Sequence, residues 1–336
     1  MSPATAGLDL PLPAVEALLL DHYGIVAESL RVFDSELSTV CRVRTARGAL
    51  VFKAVHHLPE EHEVAAWRLT ASEHLADHGI PVGRVVRNLN GELLAAVATQ
   101  RGLVSVQVGQ WLEGTPLLDA PLTSPLLNDV GNTAAQISRL LADWPRPPFP
   151  VEHPWELTRS LTVLEQVMQV IDDDATRELI TETEQRFTPY ASVLETLPRA
   201  TAHHDLHDAN LLVDVATARV CGVLDMGDMV PAPRVAELVV AAAYACRGAA
   251  DPADAFLRVA EGWGTTVPLT SDEIAVLFPS ALARLAVNMG IWRSRTHSDR
   301  GNYARARSGS SLRTLQALLT VDTAAMESAL HDRLSA

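Results

Sequence analysis

Between residues 203 and 228 the chain reads HHDLHDANLLVDVATARVCGVLDMGD, with Asp205 followed five residues later by Asn210 and fifteen beyond that by Asp225. In-line phosphoryl transfer from a nucleoside triphosphate needs a carboxylate that orients the attacking hydroxyl and accepts its proton, and hard oxygen ligands that hold magnesium against the phosphates. Asp205 has the chemistry for the first task, and Asn210 with Asp225 for the second. The apolar residues 211–213, the turn-forming stretch 214–219 and the apolar run 220–224 predict a β-hairpin. Such a hairpin returns Asn210 and Asp225 to one another's side, and the two make a magnesium site only together.

Lysine gives a second, independent signal. Lys53 is the only lysine in the chain, and every other fixed cation is arginine. A sequence that otherwise avoids lysine retains one where a compact ammonium does what a forked guanidinium cannot. Residues 42–45, a turn at Arg47-Gly48 and residues 49–55 read as a hairpin with Lys53 on its second strand. The alternative reading is a solvated strand lysine. A carboxylate partner for it is sought in the helix predicted over 58–77, where Glu60, Glu61 and Glu63 are available; Glu63, at the start of the continuous helical run, is the choice.

Other residues of the block carry two readings. Asp228 contacts a second metal or the acceptor, or caps the loop that follows. His203, His204 and His207 cluster as zinc ligands do, but the nearest cysteine is Cys221 and the surrounding Asp and Asn oxygens suit magnesium.

The elements needed to position these residues are legible in outline. A short helix over 13–22 precedes strand-like runs at 29–33, 40–45 and 49–55, the 58–77 helix closed by Gly79 and Pro81, and further strands at 85–86, 93–98 and 103–108. After QWLEGTP at 110–116 the texture becomes almost entirely helical apart from the 211–224 hairpin. Helices are expected from about Leu127 and over 155–171, 173–187, 189–196, 234–247, 252–262, 272–296 and 309–332. WPRPPFP at 144–150 reads as a rigid surface turn inside the second, helical part.

Composition narrows the partners. The chain has 336 residues, 41 acidic against 27 basic, for a formal charge of −14. Nucleic acid and an anionic membrane surface are therefore not expected partners. Cys41, Cys221 and Cys246 have no paired spacing and read as core thiols of a reducing compartment. No basic start of a signal peptide precedes Arg31, no uninterrupted apolar run reaches spanning length, and a cytoplasmic location is expected. Oligomeric state is not legible.

His203, Asp205, Asn210 and Asp225-Met226-Gly227 resemble the kinase signature of an HxD…N catalytic loop followed by a metal-binding Asp-x-Gly. The absence of a GxGxxG loop sets the chain apart from protein kinases. The block is similar to the aminoglycoside phosphotransferase and choline kinase-like family, whose HGDLHxxN stands here as HHDLHDAN, with His204 in place of the glycine. LDMGDM, Glu237 and the AAAYA run are most similar to its hydroxylysine kinase-like group. The likeness extends over about residues 15–320, but only the 203–228 block is highly specific.

The resemblance implies an α+β, two-lobed protein-kinase-like fold: a small β-rich lobe with one helix over 1–109, a hinge at 110–116, and a large helical lobe over 117–336. It implies that Asp205 is the catalytic carboxylate, that His203 braces its loop, and that Glu237 buttresses it from the next helix. Lys53 then grips the α- and β-phosphates, Ser35, Ser38 and Thr39 cover them, and backbone groups of Gln110 and Leu112 meet the base. The donor is ATP or GTP with Mg2+. The acceptor is a hydroxyl of a small molecule, either an antibiotic or a hydroxylated amino acid or amine; a catalytically silent nucleotide- or ligand-binding protein is the alternative. His207 and Asp228 face the acceptor. The arginine-rich stretch 284–307, with Arg284, Arg293, Arg295, Arg300, Arg305 and Arg307 around Asn288, Trp292, His297 and Tyr303, offers forks for an acceptor carboxylate.

Overall fold

The computed structural model describes residues 7–35, 37–99, 102–295 and 301–334, the side chains of 301–308 excepted. The chain divides into two compact units, residues 1–113 with 146–151, and residues 114–145 with 152–336. Residues 146–151, read from sequence as part of the second unit, thus group with the first. Pro147, Pro148 and Pro150 donate no backbone N–H there, so the stretch joins neither a helix nor a ladder.

The first unit contains α1 (Leu12–Tyr23), β1 (Ser29–Phe33), β2 (Ser38–Thr45), β3 (Gly48–His57), α2 (Pro59–Asp77), β4 (Val85–Val86), β5 (Ala95–Thr99) and β6 (Gly102–Gln110). Its antiparallel sheet has the order β1-β2-β3-β6-β4, with β5 also paired to β6. Strand alternation decides which face is core. Phe52 and Ala54 of β3 and Val106 and Val108 of β6 bury with Val15, Leu19 and Tyr23 of α1, and the Tyr23 hydroxyl donates to Val106 O at 2.6 Å. α1 thus adds a second helix to the sheet and covers the face opposite Lys53. α2 starts with the Leu58 N–H donating to the Glu61 carboxylate at 2.7 Å, a side-chain cap on a donor the helix itself leaves unpaired.

The second unit follows with β7 (Thr115–Pro116), α3 (Ser124–Leu140), α4 (Ser160–Met168), α5 (Asp174–Thr196), β8 (Arg199–Ala202), β9 (Leu211–Asp214), β10 (Arg219–Val223), β11 (Val230–Pro233), α6 (Ala236–Ala245), α7 (Pro252–Gly264), α8 (Ser271–Ser294), α9 (Gly301–Leu319) and α10 (Thr323–Leu334). Three departures from the sequence reading have physical causes. α5 runs through Pro189 because Phe187 and Leu194 bury on either side of it, and packing outweighs one missing helical bond. The expected single helix over 309–332 breaks between Leu319 and Thr323, where Asp322 Oδ1 accepts from the Ala325 N–H at 2.8 Å and caps a new helix. β8 and β11 escape the pattern because RATA and VPAP are small or proline-containing segments. α8 is long and apolar enough by composition to cross a membrane, but 89% of its most apolar window is buried inside the protein. It is the unit's central helix.

Candidate functional site

Two small ladders build the site in the second unit. β8 pairs antiparallel with β11, and β9 with β10, so that β8 leads into residues 203–210, the hairpin leads out into residues 224–229, and β11 closes the circuit. The Leu224 N–H donates to Asn210 O at 2.8 Å, which extends the hairpin to its mouth and sets Asp225 beside Asn210, the arrangement expected from the spacing. A register shift between Val220 and Gly222 leaves Cys221 as the extra residue.

His204 has φ +66°. That left-handed conformation is natural for glycine and unusual for histidine, which gives the position a physical reason to be glycine in HGDLHxxN. The His204 imidazole is fully buried and neither ring nitrogen has a hydrogen-bond partner among the described residues. Burial first, then Arg284 and His153, hold its pKa well below the ordinary value, so the ring is neutral.

Asp205 is held on several sides. The Asn210 side-chain amide donates to Asp205 Oδ2 at 2.6 Å and to Asp205 O at 3.0 Å. His207 Nε2 stands 3.6 Å from Oδ2, and an Arg284 terminal nitrogen 3.9 Å from Oδ1. Burial pushes the Asp205 carboxyl up to about 6; His207 and Arg284 oppose the rise, and Asp228 and Asp225 add to it. His203 is hydrogen-bonded on both sides of its ring. Its Nδ1 accepts from the Asp205 N–H at 3.3 Å, so Nε2 carries the hydrogen and donates to Leu224 O at 3.0 Å. Burial pushes its pKa down to about 4, which keeps this tautomer neutral.

Glu237, fully buried at the start of α6, accepts from the His203 N–H at 2.6 Å. Burial drives its pKa from 4.5 up to about 8, against the pull of the His203 and His204 backbone amides. Because the folded value lies above the unfolded one, the associated stability is complete below about 4.5 and is lost as the pH rises through about 8. Glu237→Gln keeps an acceptor for His203 and cannot ionise. The variant is expected to match the wild type in denaturant melts at pH 4.5 and to gain on it with rising pH by at most about 1.4 kcal/mol per unit. A constant difference across pH 4.5–8 would show that Glu237 is already ionised in the folded protein.

Asp225 also has a positive φ, +57°, and its Oδ1 accepts from the Gly227 N–H at 3.0 Å. Asp228, one turn further on, meets His153 Nε2 at 3.2 Å. His153 Nδ1 accepts from the Trp155 N–H at 3.3 Å, which turns the Nε2 hydrogen toward Asp228. Asp225 and Asp228 are both near enough to Asp205 for their charges to raise its pKa. Among the described residues no group of three or more His, Cys, Asp or Glu is placed to hold a metal ion by itself. The set does fit magnesium, which takes one or two protein oxygens with the rest from water and phosphate. Asn210 and Asp225 would be the hard oxygen donors to it.

In the first unit, Lys53 lies in register with Val40 and Gln107, on the sheet face opposite α1. Farther along that face, Ser105 Oγ bonds His57 Nδ1 at 2.9 Å and His62 Nδ1 at 2.8 Å, which brings the first turn of α2 over it. Glu61 accepts from the Leu58 N–H as the helix cap, and Glu60 and Glu63 are both exposed.

The expected phosphate-covering hydroxyls separate. Ser35 and Ser38 share a 2.6 Å bond, while Thr39 is buried, donates to Leu8 O at 2.7 Å and accepts from the Leu10 N–H at 2.9 Å. Thr39 anchors the segment before α1 and does not offer its hydroxyl to a phosphate. The Gln110 N–H already donates to Arg84 O at 2.8 Å, which leaves its carbonyl and the backbone of Leu112 as the groups that could meet a base. Beside it stands a group that sequence reasoning missed: Trp111 stacks on Phe33 at 5.6 Å, and Arg42 covers the indole at 4.6 Å while pairing with Glu113.

Arg284 and Arg293 of α8 and Arg295 just beyond it do not form one acceptor-binding fork. Arg284 is 2% exposed and its donors are engaged inside the protein. Arg293 pairs with Asp173 at 2.6 Å, and Arg295 lies over its neighbour Trp292. Helix geometry separates Arg284 from Arg293 by about 13 Å along the axis. His297, Arg300 and the side chains of Tyr303, Arg305 and Arg307 lie outside the described residues. His207 is close to Asp205, but its Nδ1 accepts from the Ala209 N–H and its ring meets Tyr244 edge-on.

A sheet unit with Lys53 at mid-strand, and a helical unit whose HxD…N loop and Asp-x-Gly turn share one hairpin, define the protein-kinase-like α+β fold. Residues 29–269 match the model of the phosphotransferase enzyme family, APH, and the chain belongs to that family. Among its curated relatives are hydroxylysine kinases of Mus musculus, 23% identical over 63% of this chain and 60% of the relative, and of Danio rerio, 24% identical over 80% and 79%. The chain thus spans about three-fifths of the length of the mouse relative. Solved structures with the same fold include amicoumacin kinase hAmiN in complex with AMP-PNP, Ca2+ and Ami, with TM-score 0.69, 15% identity, and 93% and 94% of the two chains covered. Another is a microcompartment-associated aminopropanol kinase, with TM-score 0.69, 18% identity, and 92% and 98% covered.

Proposed function

We propose that this protein transfers the γ-phosphoryl group of ATP or GTP to a hydroxyl of a small hydroxylated amine or amino acid, with Mg2+ as cofactor. The observation that carries the reading is the grip of Asn210 on Asp205 at the mouth of the hairpin that also delivers Asp225. Asp205 orients the acceptor hydroxyl and takes its proton. Asn210 and Asp225 supply magnesium ligands, and Lys53 binds phosphate. Magnesium, when bound, neutralises charge on the phosphates and on the departing oxygen. His203 and Glu237 keep Asp205 in place by fixing the backbone before it.

The acceptor class is supported by the names of the relatives, hydroxylysine kinase and aminopropanol kinase, and by the cluster of Asp205, Asp225 and Asp228, which attracts an ammonium. Asp228, with His153 at its side, is the acceptor-facing carboxylate of this reading. The test is nucleoside diphosphate release from ATP and GTP, with and without magnesium, over a panel of hydroxylated amines, hydroxylated amino acids and antibiotics. Turnover only with antibiotics would replace the acceptor class. Nucleotide binding with no turnover on any acceptor would make the protein a silent binder.

Lys53→Arg is expected to lose activity nearly as fully as Lys53→Met, because the fork is bulkier than the ammonium and directs its donors differently. Wild-type rates in the arginine variant would assign Lys53 to the solvated surface.

A further inference from the structure

Asp205 and Asp208 sit three residues apart in the loop between β8 and β9, and each meets an arginine from a different helical segment. Arg284 of α8 donates to Trp155 O at 2.5 Å and to His204 O at 3.3 Å, and lies 3.9 Å from Asp205. Arg247, just beyond α6, takes the Asp208 carboxylate in both arms of its fork, one bond measuring 2.9 Å. The two guanidinium groups converge on one ring. Arg247 lies 4.6 Å and Arg284 5.6 Å from the centroid of Tyr244, and His207 meets the same ring edge-on at 5.8 Å.

A chain of hydrogen bonds closes the arrangement. The Tyr244 hydroxyl accepts from Arg284 Nε at 3.3 Å and from the Asn288 amide at 3.0 Å. Asn288 Oδ1 accepts from Ser311 Oγ at 2.8 Å, and Arg247 reaches Ser311 Oγ at 3.4 Å. Tyr244, Arg284, Asn288, Ser311 and Asp208 are all buried. Buried guanidinium groups keep their orientation only while their donors find acceptors.

We infer that Tyr244 is a positioning residue: it is the post of a clamp in which Arg284 and Arg247 hold the two ends of the catalytic loop, residues 204 and 208. The inference rests on the proposed role of Asp205. Its force comes from His204, whose left-handed backbone is unusual for a side chain with a Cβ and persists only where the surroundings impose it. The carbonyl of that residue is the one Arg284 holds. Without the Tyr244 hydroxyl, Arg284 Nε loses its acceptor and the fork can turn away from His204. Asp205 then loses its fixed relation to Asn210, while the nucleotide-binding groups stay in place.

The experiment uses the full chain and reads hydrogen–deuterium exchange in peptides covering residues 203–210, together with phosphoryl transfer to the acceptor found by the panel above, or to water if none is taken. In Tyr244→Phe, exchange in this loop is expected to rise about tenfold relative to wild type, with α6 and β9 unchanged. Turnover is expected to fall about tenfold or more with the nucleotide KM unchanged, since positioning acts on the transition state. Arg284→Met should reproduce both effects, and Arg284→Lys should restore part of the turnover. Should Tyr244→Phe fail to fold, Arg284→Met and Arg247→Met carry the same two readouts. Unchanged loop exchange and unchanged turnover in the folded variants would overturn the clamp. Asp205→Asn, measured in parallel, separates the two ideas: full activity there removes the role of Asp205, whereas an inactive Asp205→Asn beside unaltered clamp variants removes only the clamp.

Discussion

Asp205→Asn is expected to lower turnover by about 10²–10⁴-fold while leaving magnesium-nucleotide affinity unchanged and making the protein more stable. The three effects have one origin. Asp205 is a carboxylate that burial and its neighbours Asp228 and Asp225 make costly to ionise, so its carboxyl rises to about 6. An asparagine of the same shape can present its amide oxygen to the Asn210 amide and preserve the 2.6 Å contact, while the desolvated charge disappears. What it cannot do is accept the proton of an attacking hydroxyl. Steady-state kinetics, calorimetry with a non-hydrolysable nucleotide and thermal melts test the three parts. Near wild-type turnover would remove Asp205 from the chemistry, and an inactive variant that is also less stable would mean that the Asp205 charge supports the fold.

Asp225 yields the second large effect, provided the substitution respects its backbone. Asp225→Asn retains a side chain that tolerates φ +57° and an oxygen for the Gly227 N–H, and removes only the charge. Activity should be lost, and magnesium-dependent nucleotide affinity should fall about tenfold or more, because a neutral oxygen compensates phosphate and cation charge less well. Asp225→Ala should lose the same affinity and about 1 kcal/mol of stability besides, through the left-handed backbone and the lost cap. Calorimetry at several magnesium concentrations checks the first claim and urea melts the second. Unchanged affinity in both variants would place the metal ligand elsewhere.

The juxtaposition of Asp205, Asn210 and Asp225 is legible because the three are joined by a single predictable hairpin. His203 was legible in the same way, from its place two residues before Asp205. The residues that hold this loop in position were not. Tyr244 sits in an AAAYA run that reads as an apolar helix, and Arg284 in an arginine-rich stretch that reads as solvated or substrate-binding. Their contacts span 40 and 80 residues, and burial is what separates a structural guanidinium from a binding one. Thr39 misled in the reverse direction: a hydroxyl in a loop-like setting turned out to anchor residues 8 and 10. β8 and β11 were invisible because two short strands of small residues and prolines carry no alternation, yet their pairing frames the whole loop.

That framing bears on how the length of this segment can change. β8 and β11 fix one register, β9 and β10 a second, and residues 203–210 and 224–229 run between them with no slack. Adding or deleting one residue in either connection would put one ladder out of step with the other and turn a strand's buried side outward. The tip at 215–218, exposed over 215–217, lies outside both registers. Natural insertions and engineered tags should therefore be tolerated at that tip, which makes residues 203–229 a ring of fixed circumference with one expandable link.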